Sequence, residues 1–336
     1  MALCTYQGEA WLPELLESLA AQELLPDELV VQDDASTDGT VALLEAFAAS
    51  APFPVRLVVN PERVGSTPNF ERALARVEGR YVALADQDDI WYPHKLARLV
   101  GMLEDDPILT LAFSDADLVD ERGRPTGRRL WSGRGIRHHL VAHEIVPCAL
   151  FARRSLSTGC TMVARRRAVE AALPFPTSLD DPQAPMRHDR WLSLVAAAVG
   201  TVRAVPEPLL AFRSHPEQQT GVLEPAQLRS RLAAAAVAAL AGDDPARAVE
   251  HEVRAQQVAE AAHRADLWGD FEEADELRRV ARHHEVRADL GDTIPERTRR
   301  VWGQVADGGY DRSAMGVASA AADLARALRP ARRTAP

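Results

Sequence analysis

Asp86-Gln87-Asp88-Asp89 follows directly on the apolar run Arg80–Ala85 (RYVALA). Carboxylates packed this closely repel one another, and holding them at a sheet rim is costly unless a cation is shared. A hard divalent ion, Mg²⁺ or Mn²⁺, resolves the repulsion, with protein oxygens on one side and diphosphate oxygens completing the shell. The alternative is a solvated acidic turn ahead of a helix begun by Pro93. The strand before the acids, and Trp91-Tyr92-Pro93 behind them, favour the site. A second acid set, Asp33-Asp34-Ala35-Ser36-Thr37-Asp38, also follows an apolar run, Glu28–Gln32. A carboxylate at a strand end can accept the imide N–H of a pyrimidine, while Ser36 or Asp38 can cap the next helix; for Asp38 we expect capping alone.

A third candidate is Asp189, which opens the apolar helix holding Trp191, Leu192, Leu194 and Val195. A carboxylate is electrostatically favoured at a helix N-terminus, so a cap and a general base are both open to it. His188 beside it could tune or orient it. His215 alone reads as a surface or packing histidine. Cys160 is expected to be a small buried hydrophobe, since Cys4, Cys148 and Cys160 show no metal or disulfide spacing. His139 and His143 suit one helix face but lack a third ligand, and His283-His284 reads as solvated surface.

The elements that must position these residues alternate. Apolar runs at Ala2–Thr5, Glu28–Gln32, Val55–Val59, Arg80–Ala85 and Leu109–Phe113 are separated by helical spacings such as Leu12, Leu15, Leu16 and Leu19. Such βαβ alternation means a mostly parallel sheet, whose ligands bind beyond the carboxyl ends of the strands. Thr5–Glu9, Asp33–Asp38 and Asp86–Asp89 therefore converge on one rim. Residues 115–154 lack a clear period, except for turn signals. Order returns with Gly159–Ala164, a helix from Arg166, a helix from His188 through Val199 and the strand Thr201–Val205. From about Pro225, Ala, Arg, Glu and Asp dominate, with Asp270 and Glu273 shaped as a capping box, so the end is a set of amphipathic helices. Only Met1-Ala2-Leu3 precede Cys4, so the first strand is short or the start lies upstream.

The 336 residues allow two domains, and 46% hydrophobic content allows an ordinary core. A net charge of −10 argues against nucleic-acid binding, so an anionic substrate needs a local device such as a metal ion. No 18-residue apolar run and no leader pattern occur, which predicts a soluble, cytoplasmic protein. Arginine almost entirely replaces lysine, which we read as coding bias; Lys95 is the exception.

Taken together, Cys4-Thr5-Tyr6-Gln7-Gly8-Glu9, Asp33–Asp38, Asn69-Phe70 and Asp86-Gln87-Asp88-Asp89-Ile90-Trp91 resemble the family 2 glycosyltransferases. The rhamnosyltransferase-like branch is the nearest. The likeness continues through Ser157–Met162, His188-Asp189-Arg190-Trp191 and Phe212-Arg213-Ser214-His215, over roughly residues 1–220. It departs at Gln7, where the family usually has Asn, and at Ala35, where Gly is common.

The resemblance implies a GT-A fold, a Rossmann-like α/β architecture with a mostly parallel mixed sheet flanked by helices, here with a C-terminal all-helical extension. It divides the chain into 1–222, with a nucleotide-sugar half (1–114) and an acceptor half (115–222), and a helical accessory region, 223–336. It further implies a nucleotide-diphosphate sugar donor (UDP- or dTDP-sugar, rhamnose among them), a divalent metal and inversion at the anomeric carbon. Thr5, Tyr6 and Glu9 would line the nucleoside pocket, with Asp34 on the base. Asp86 and Asp88 match the family's D-x-D, Asp88 being the more direct metal ligand. Asp189 falls where the family places its base, and His215 where some members add a metal or diphosphate contact. The acceptor would be a glycan or lipid-linked saccharide of cell-surface polysaccharide synthesis. The helical end offers a dimer surface, and its basic residues Arg326, Arg329, Arg332 and Arg333 a peripheral contact with anionic lipid at the inner membrane face. A nucleotidylyltransferase would need a Gly-rich basic loop, which Thr5–Glu9 lacks. A catalytically silent glycan-binding or scaffolding protein would have little reason to keep Asp86, Asp88 and Asp189 together.

Overall fold

The computed structural model describes residues 1–133, 145–216, 218, 245–291, 293–310 and 317–328. The run His138–His143 and the basic end from Arg329 lie outside the described residues. Four parallel strands carry the first half: β1 (Ala2–Thr5), β2 (Leu29–Asp33), β3 (Val55–Val59) and β4 (Tyr81–Asp86). Cys4 sits beside Gln32 on one side and Asp86 on the other, so the strands end on one rim. Leu29, Val30 and Val31 are all buried, as a strand covered on both faces requires.

The intervening helices are α1 (Leu12–Ala20), α2 (Thr40–Ala48), α3 (Ser66–Leu74) and α4 (Lys95–Asp105). α1 buries Leu12, Leu15, Leu16 and Leu19, a stripe at helical spacing. α4 buries Leu96, Leu99 and Leu103, but it begins two residues beyond Pro93, with His94 at its N-cap.

The sheet continues through β5 (Ile90–Trp91), β6 (Leu109–Val119), β7 (Pro125–Arg129), β8 (Met162–Arg165) and β9 (Thr201–Arg213). Its order is β3-β2-β1-β4-β8-β6-β9-β5, with β7 on β6. β8 runs antiparallel between β4 and β6, whereas β6 and β9 are parallel, so the sheet is mixed as expected. β6 and β9 run well past the predicted Leu109–Phe113 and Thr201–Val205. Asp115, Asp117, Pro206 and Pro208 break the apolar pattern, but register shifts around Asp115 let pairing resume at Asp117 with Ala211. Helices α5 (Leu130–Gly133), α6 (Cys148–Arg153), α7 (Arg166–Ala172) and α8 (His188–Ala198) complete this stretch.

The chain forms two compact units. The first holds Met1–Pro147, Ser155–Phe175 and Arg187–Val222, and the second Cys148–Arg154, Pro176–Met186 and Leu223–Pro336. In the second, α9 (Pro245–Leu267) pairs with α10 (Phe271–Ala288), followed by α11 (Ile294–Ala306) and α12 (Val317–Ala327). Asp270 caps α10 by accepting the Glu273 N–H, as its sequence indicates. His283 and His284 are not solvated surface. Both are buried, His284 with its Nδ1 2.9 Å from that of His251 and His283 against Gln304, because the pair faces the neighbouring helices. Among the described residues no helix is long and apolar enough to cross a membrane.

The second unit gathers two segments that the sequence division places within 1–222. Gln257 Nε2 donates to the carbonyls of Ser178 and Ala184, at 2.7 and 2.9 Å, and Arg153 donates to that of Tyr310. Phe151, Leu179 and Met186 are buried there. A chain cut after Val222 loses that cover. We expect it to melt at least 5 °C lower than the full chain and to bind a hydrophobic dye, as thermal denaturation with dye fluorescence would report.

Candidate functional site

β1 lies between β2 and β4, so the chain order reverses beside it, and this is where open α/β sheets bind ligands. A cavity of about 570 Å³ opens there. Thr5, Tyr6, Asp34, Asp86, Asp88, Asp189 and His215 all line it. Of the residues predicted for the site only Glu9 is outside the lining. Its carboxylate accepts the Gly39 N–H at 2.9 Å, and Asp38 accepts the N–H groups of Glu9 and Thr40, both at 3.1 Å. Two acids thus cap α2, where negative charge is favoured.

One end of the cavity is built on Asp34. Its Oδ1 accepts from the Val64 N–H at 2.7 Å and from Asn60 Nδ2 at 2.9 Å, and its Oδ2 accepts from the Gly65 N–H at 2.9 Å. Gly65 holds φ +92°, a left-handed conformation open to glycine at little cost. Beside it, Asp33 accepts from the hydroxyls of Thr5 and Ser36, each at 2.7 Å. Tyr6 is held by Gln87, whose Oε1 accepts the Tyr6 N–H at 2.8 Å while its Nε2 donates to the Tyr6 carbonyl at 2.9 Å. The Arg63 guanidinium lies 4.1 Å above the Tyr6 ring. The two departures from the family pattern, Gln7 and Ala35, have φ of +50° and +61°. Asn and Gly adopt that conformation more easily.

The other end carries the acids. His215 Nε2 is 2.9 Å from Asp88 Oδ2, and the Trp11 ring packs on His215 with centroids 3.9 Å apart. Asp86 keeps part of its surface open, yet its carboxyl lies deep. Burial, then the charges of Asp88 and Asp189, push it up to about 7. Burial, then the charges of Asp88 and Asp86, push Asp89 up as well. Asp86, Asp89 and Cys160 each place one ligand atom within 4.8 Å of the others. Asp89 and Cys160 are wholly buried, however, and the Lys95 ammonium already stands there, donating to the Cys160 carbonyl and resting 3.0 Å from the Trp91 ring centre. This layer is a charge-compensated floor. The cavity-side donors are Asp86, Asp88 and His215.

Asp189 lies in the first turn of α8. The helix begins at His188, as predicted, with Arg187 at its N-cap, and Asp189 Oδ1 accepts the adjacent Arg190 N–H at 2.7 Å. Its charge acts on Asp86, so the acids of β4 and α8 share one field.

Sequence reasoning gave no role to several residues that build this site. Trp11, Arg63, Gln87, Arg187 and Gln218 line the cavity from loops without periodicity. Arg213 is buried, donating from Nε to the Asp88 carbonyl at 2.9 Å and from its backbone N–H to Asp89 at 3.2 Å. Lys95 did leave a signal, as the one lysine in an arginine-rich chain.

The sheet order, with its antiparallel β8 and its acids at the end of β4, defines a GT-A α/β domain. Staphylococcus aureus TarS 1–349, solved in complex with UDP-GlcNAc, has the same fold, at a TM-score of 0.53 over 96% of this chain and 89% of that one with 16% identity. The glycosyl transferase family 2 model matches residues 2–171, and the chain belongs to that family. An uncharacterized protein of Mycobacterium tuberculosis is 30% identical over 216 residues, 63% of this chain and 57% of that protein. The dTDP-rhamnosyl transferase RfbG of Shigella flexneri is 32% identical over 105 residues, 30% of this chain and 36% of that one.

The raised Asp86 carboxyl has a sign that can be checked. Between the ordinary carboxylate value near 4 and about 7, the folded protein keeps a proton that the unfolded chain releases, so this group destabilises the fold as pH rises. With EDTA present, Asp86→Asn is expected to melt above wild type at pH 8. The gap should close as pH falls toward 5, as paired thermal melts across that range would report.

Proposed function

We propose that the protein is an inverting, metal-dependent glycosyltransferase that moves a sugar from a nucleotide diphosphate to a hydroxyl of a glycan or lipid-linked saccharide. The carrying observation is that one cavity joins the Asp34–Tyr6 end to Asp86, Asp88, His215 and Asp189. The name of the Shigella relative supports a dTDP-sugar, rhamnose among the candidates, and a UDP-sugar fits the same base contact.

Donor binding starts at Asp34. Its carboxylate is aligned by the loop at residues 60–65 and can accept the imide N–H of a uracil or thymine. Tyr6 and Arg63 offer an aromatic and a cationic face beside it. The diphosphate then lies toward Asp86 and Asp88. A divalent cation fits there on the chemistry of the donor set, two carboxylates and an imidazole, and on the pressure that lifts Asp86. Asp86, Asp88 and His215 would hold that ion, which when bound neutralises charge growing on the leaving diphosphate.

Asp189 is the base. Its carboxylate lines the same cavity and can take the proton of the acceptor hydroxyl as that oxygen attacks the anomeric carbon. The bond from that carbon to the diphosphate oxygen breaks on the opposite face, so one displacement inverts the centre. No covalent intermediate is needed, consistent with the buried, free Cys160.

A panel of UDP-, dTDP- and GDP-sugars assayed for nucleotide release, with and without EDTA, tests the reading directly. Release that EDTA leaves unchanged would remove the metal from it. Asp88→Asn is expected to stay folded while losing most Mn²⁺-dependent nucleotide affinity by calorimetry. Asp189→Asn should keep nucleotide affinity and melting temperature near wild type while transfer falls about 10²–10⁴-fold. An early-melting Asp189→Asn with normal turnover would reduce the residue to a structural role.

A further inference from the structure

His188 is the residue of the cavity wall whose surroundings the mechanism above does not use. Its imidazole is 6% exposed and lies flat on Phe70 of α3, with ring centroids 3.8 Å apart and planes at 17°. Neither Nδ1 nor Nε2 has a hydrogen-bond partner among the described residues. The ring nevertheless lines the cavity, immediately before Asp189. Gly159 leaves it clear, since a side chain at that position would stand 3.2 Å from Nε2.

Buried polar groups are nearly always bonded, and one left alone weakens the fold. Burial holds the His188 ring down to about 4, so at neutral pH it is uncharged, with one nitrogen donating and the other accepting. A diphosphate would find no charge on it, and the donors proposed for its cation are Asp86, Asp88 and His215. A hydroxyl is different, because it donates and accepts through a single atom.

We propose that His188 is a substrate-binding residue whose imidazole hydrogen-bonds a sugar hydroxyl in the cavity. This rests on the glycosyltransferase reading. The bonded hydroxyl belongs either to the transferred sugar or to the acceptor, and the chemistry is the same for both. Phe70 fixes the plane of the ring, and Gly159 leaves room beside Nε2.

His188→Phe tests this, because it keeps a flat ring against Phe70 and removes both nitrogens. If the ring serves a ligand, deleting unpartnered polar atoms leaves the melting temperature equal to wild type or higher. Affinity for UDP and dTDP should not change, whereas turnover should fall about 10- to 100-fold for the loss of bonding to a buried hydroxyl. His188→Asn, which keeps a donor and an acceptor, should recover part of that loss. Hydrolysis of UDP-glucose, UDP-GlcNAc and dTDP-rhamnose is followed beside transfer to a panel of methyl glycosides. A fall in both assigns the hydroxyl to the donor sugar, and a fall in transfer alone assigns it to the acceptor. The proposal is overturned if His188→Phe melts several degrees lower with normal turnover per folded molecule, if turnover is unchanged, or if UDP affinity drops. Should wild-type protein release nucleotide from none of these donors, the glycosyltransferase reading itself fails and His188 loses its assignment with it.

Discussion

Crowding of negative charge at the end of β4 governs how the rest of the first unit is arranged. Asp86, Asp88 and Asp89 lie within four residues, Asp189 adds a fourth carboxylate, and Asp89 is wholly buried. Such a group is tolerable only with compensation, because desolvation and like-charge repulsion act in the same direction. Lys95 supplies it from below, at the cost of having its own ammonium pushed down to about 7 by burial. Arg213 supplies it from β9 through the Asp88 carbonyl and the Asp89 carboxylate, and its guanidinium also reaches Glu14 of α1 at 3.1 Å. The fold thus retains an electrostatic strain that a bound cation would relieve, an arrangement common where function opposes stability.

The same loop ties the two ends of the cavity together. Gln87, between Asp86 and Asp88, makes a reciprocal pair with the backbone of Tyr6, so the acid loop and the β1 loop form one piece. Asp34 orders the segment that carries Arg63, which in turn covers Tyr6. A cavity stitched in this way holds its charged and aromatic groups in place before a ligand arrives, which limits the ordering cost of binding. α8 adds Asp189 and His188 from a helix locked by Trp191, whose Nε1 donates to the Ala172 carbonyl at 2.9 Å.

The helical unit is held by different means. α9 and α10 pack against each other, and both bury small side chains, among them Ala261, Ala262, Ala274 and Ala281. Their polar residues are not all at the surface: the partly buried Arg287 pairs with the buried Asp323 at 2.7 Å, and the Tyr310 hydroxyl donates to the same carboxylate at 2.9 Å. Composition and capping signals indicated amphipathic helices here, but composition does not say which charges meet.

What the sequence determined by itself is what short stretches encode. The strand–helix alternation, the parallel first half, the caps at Asp38 and Asp270 and the meeting of three loops on one rim all follow from local periodicity and from acids placed just after apolar runs. Everything that depends on distant partners was decided by the tertiary structure. β6 and β9 outrun their apolar patterns because each pairs with the other through register shifts. Glu9 leaves the cavity because the N-terminus of α2 is close enough to claim its carboxylate. Lys95, Arg213, His188 and the pair His283-His284 are buried by elements far away in the chain, and a polar residue gives no local sign of being enclosed. Periodicity reports which face of an element is apolar; only packing decides which polar side chains that face carries inside, and what they meet there.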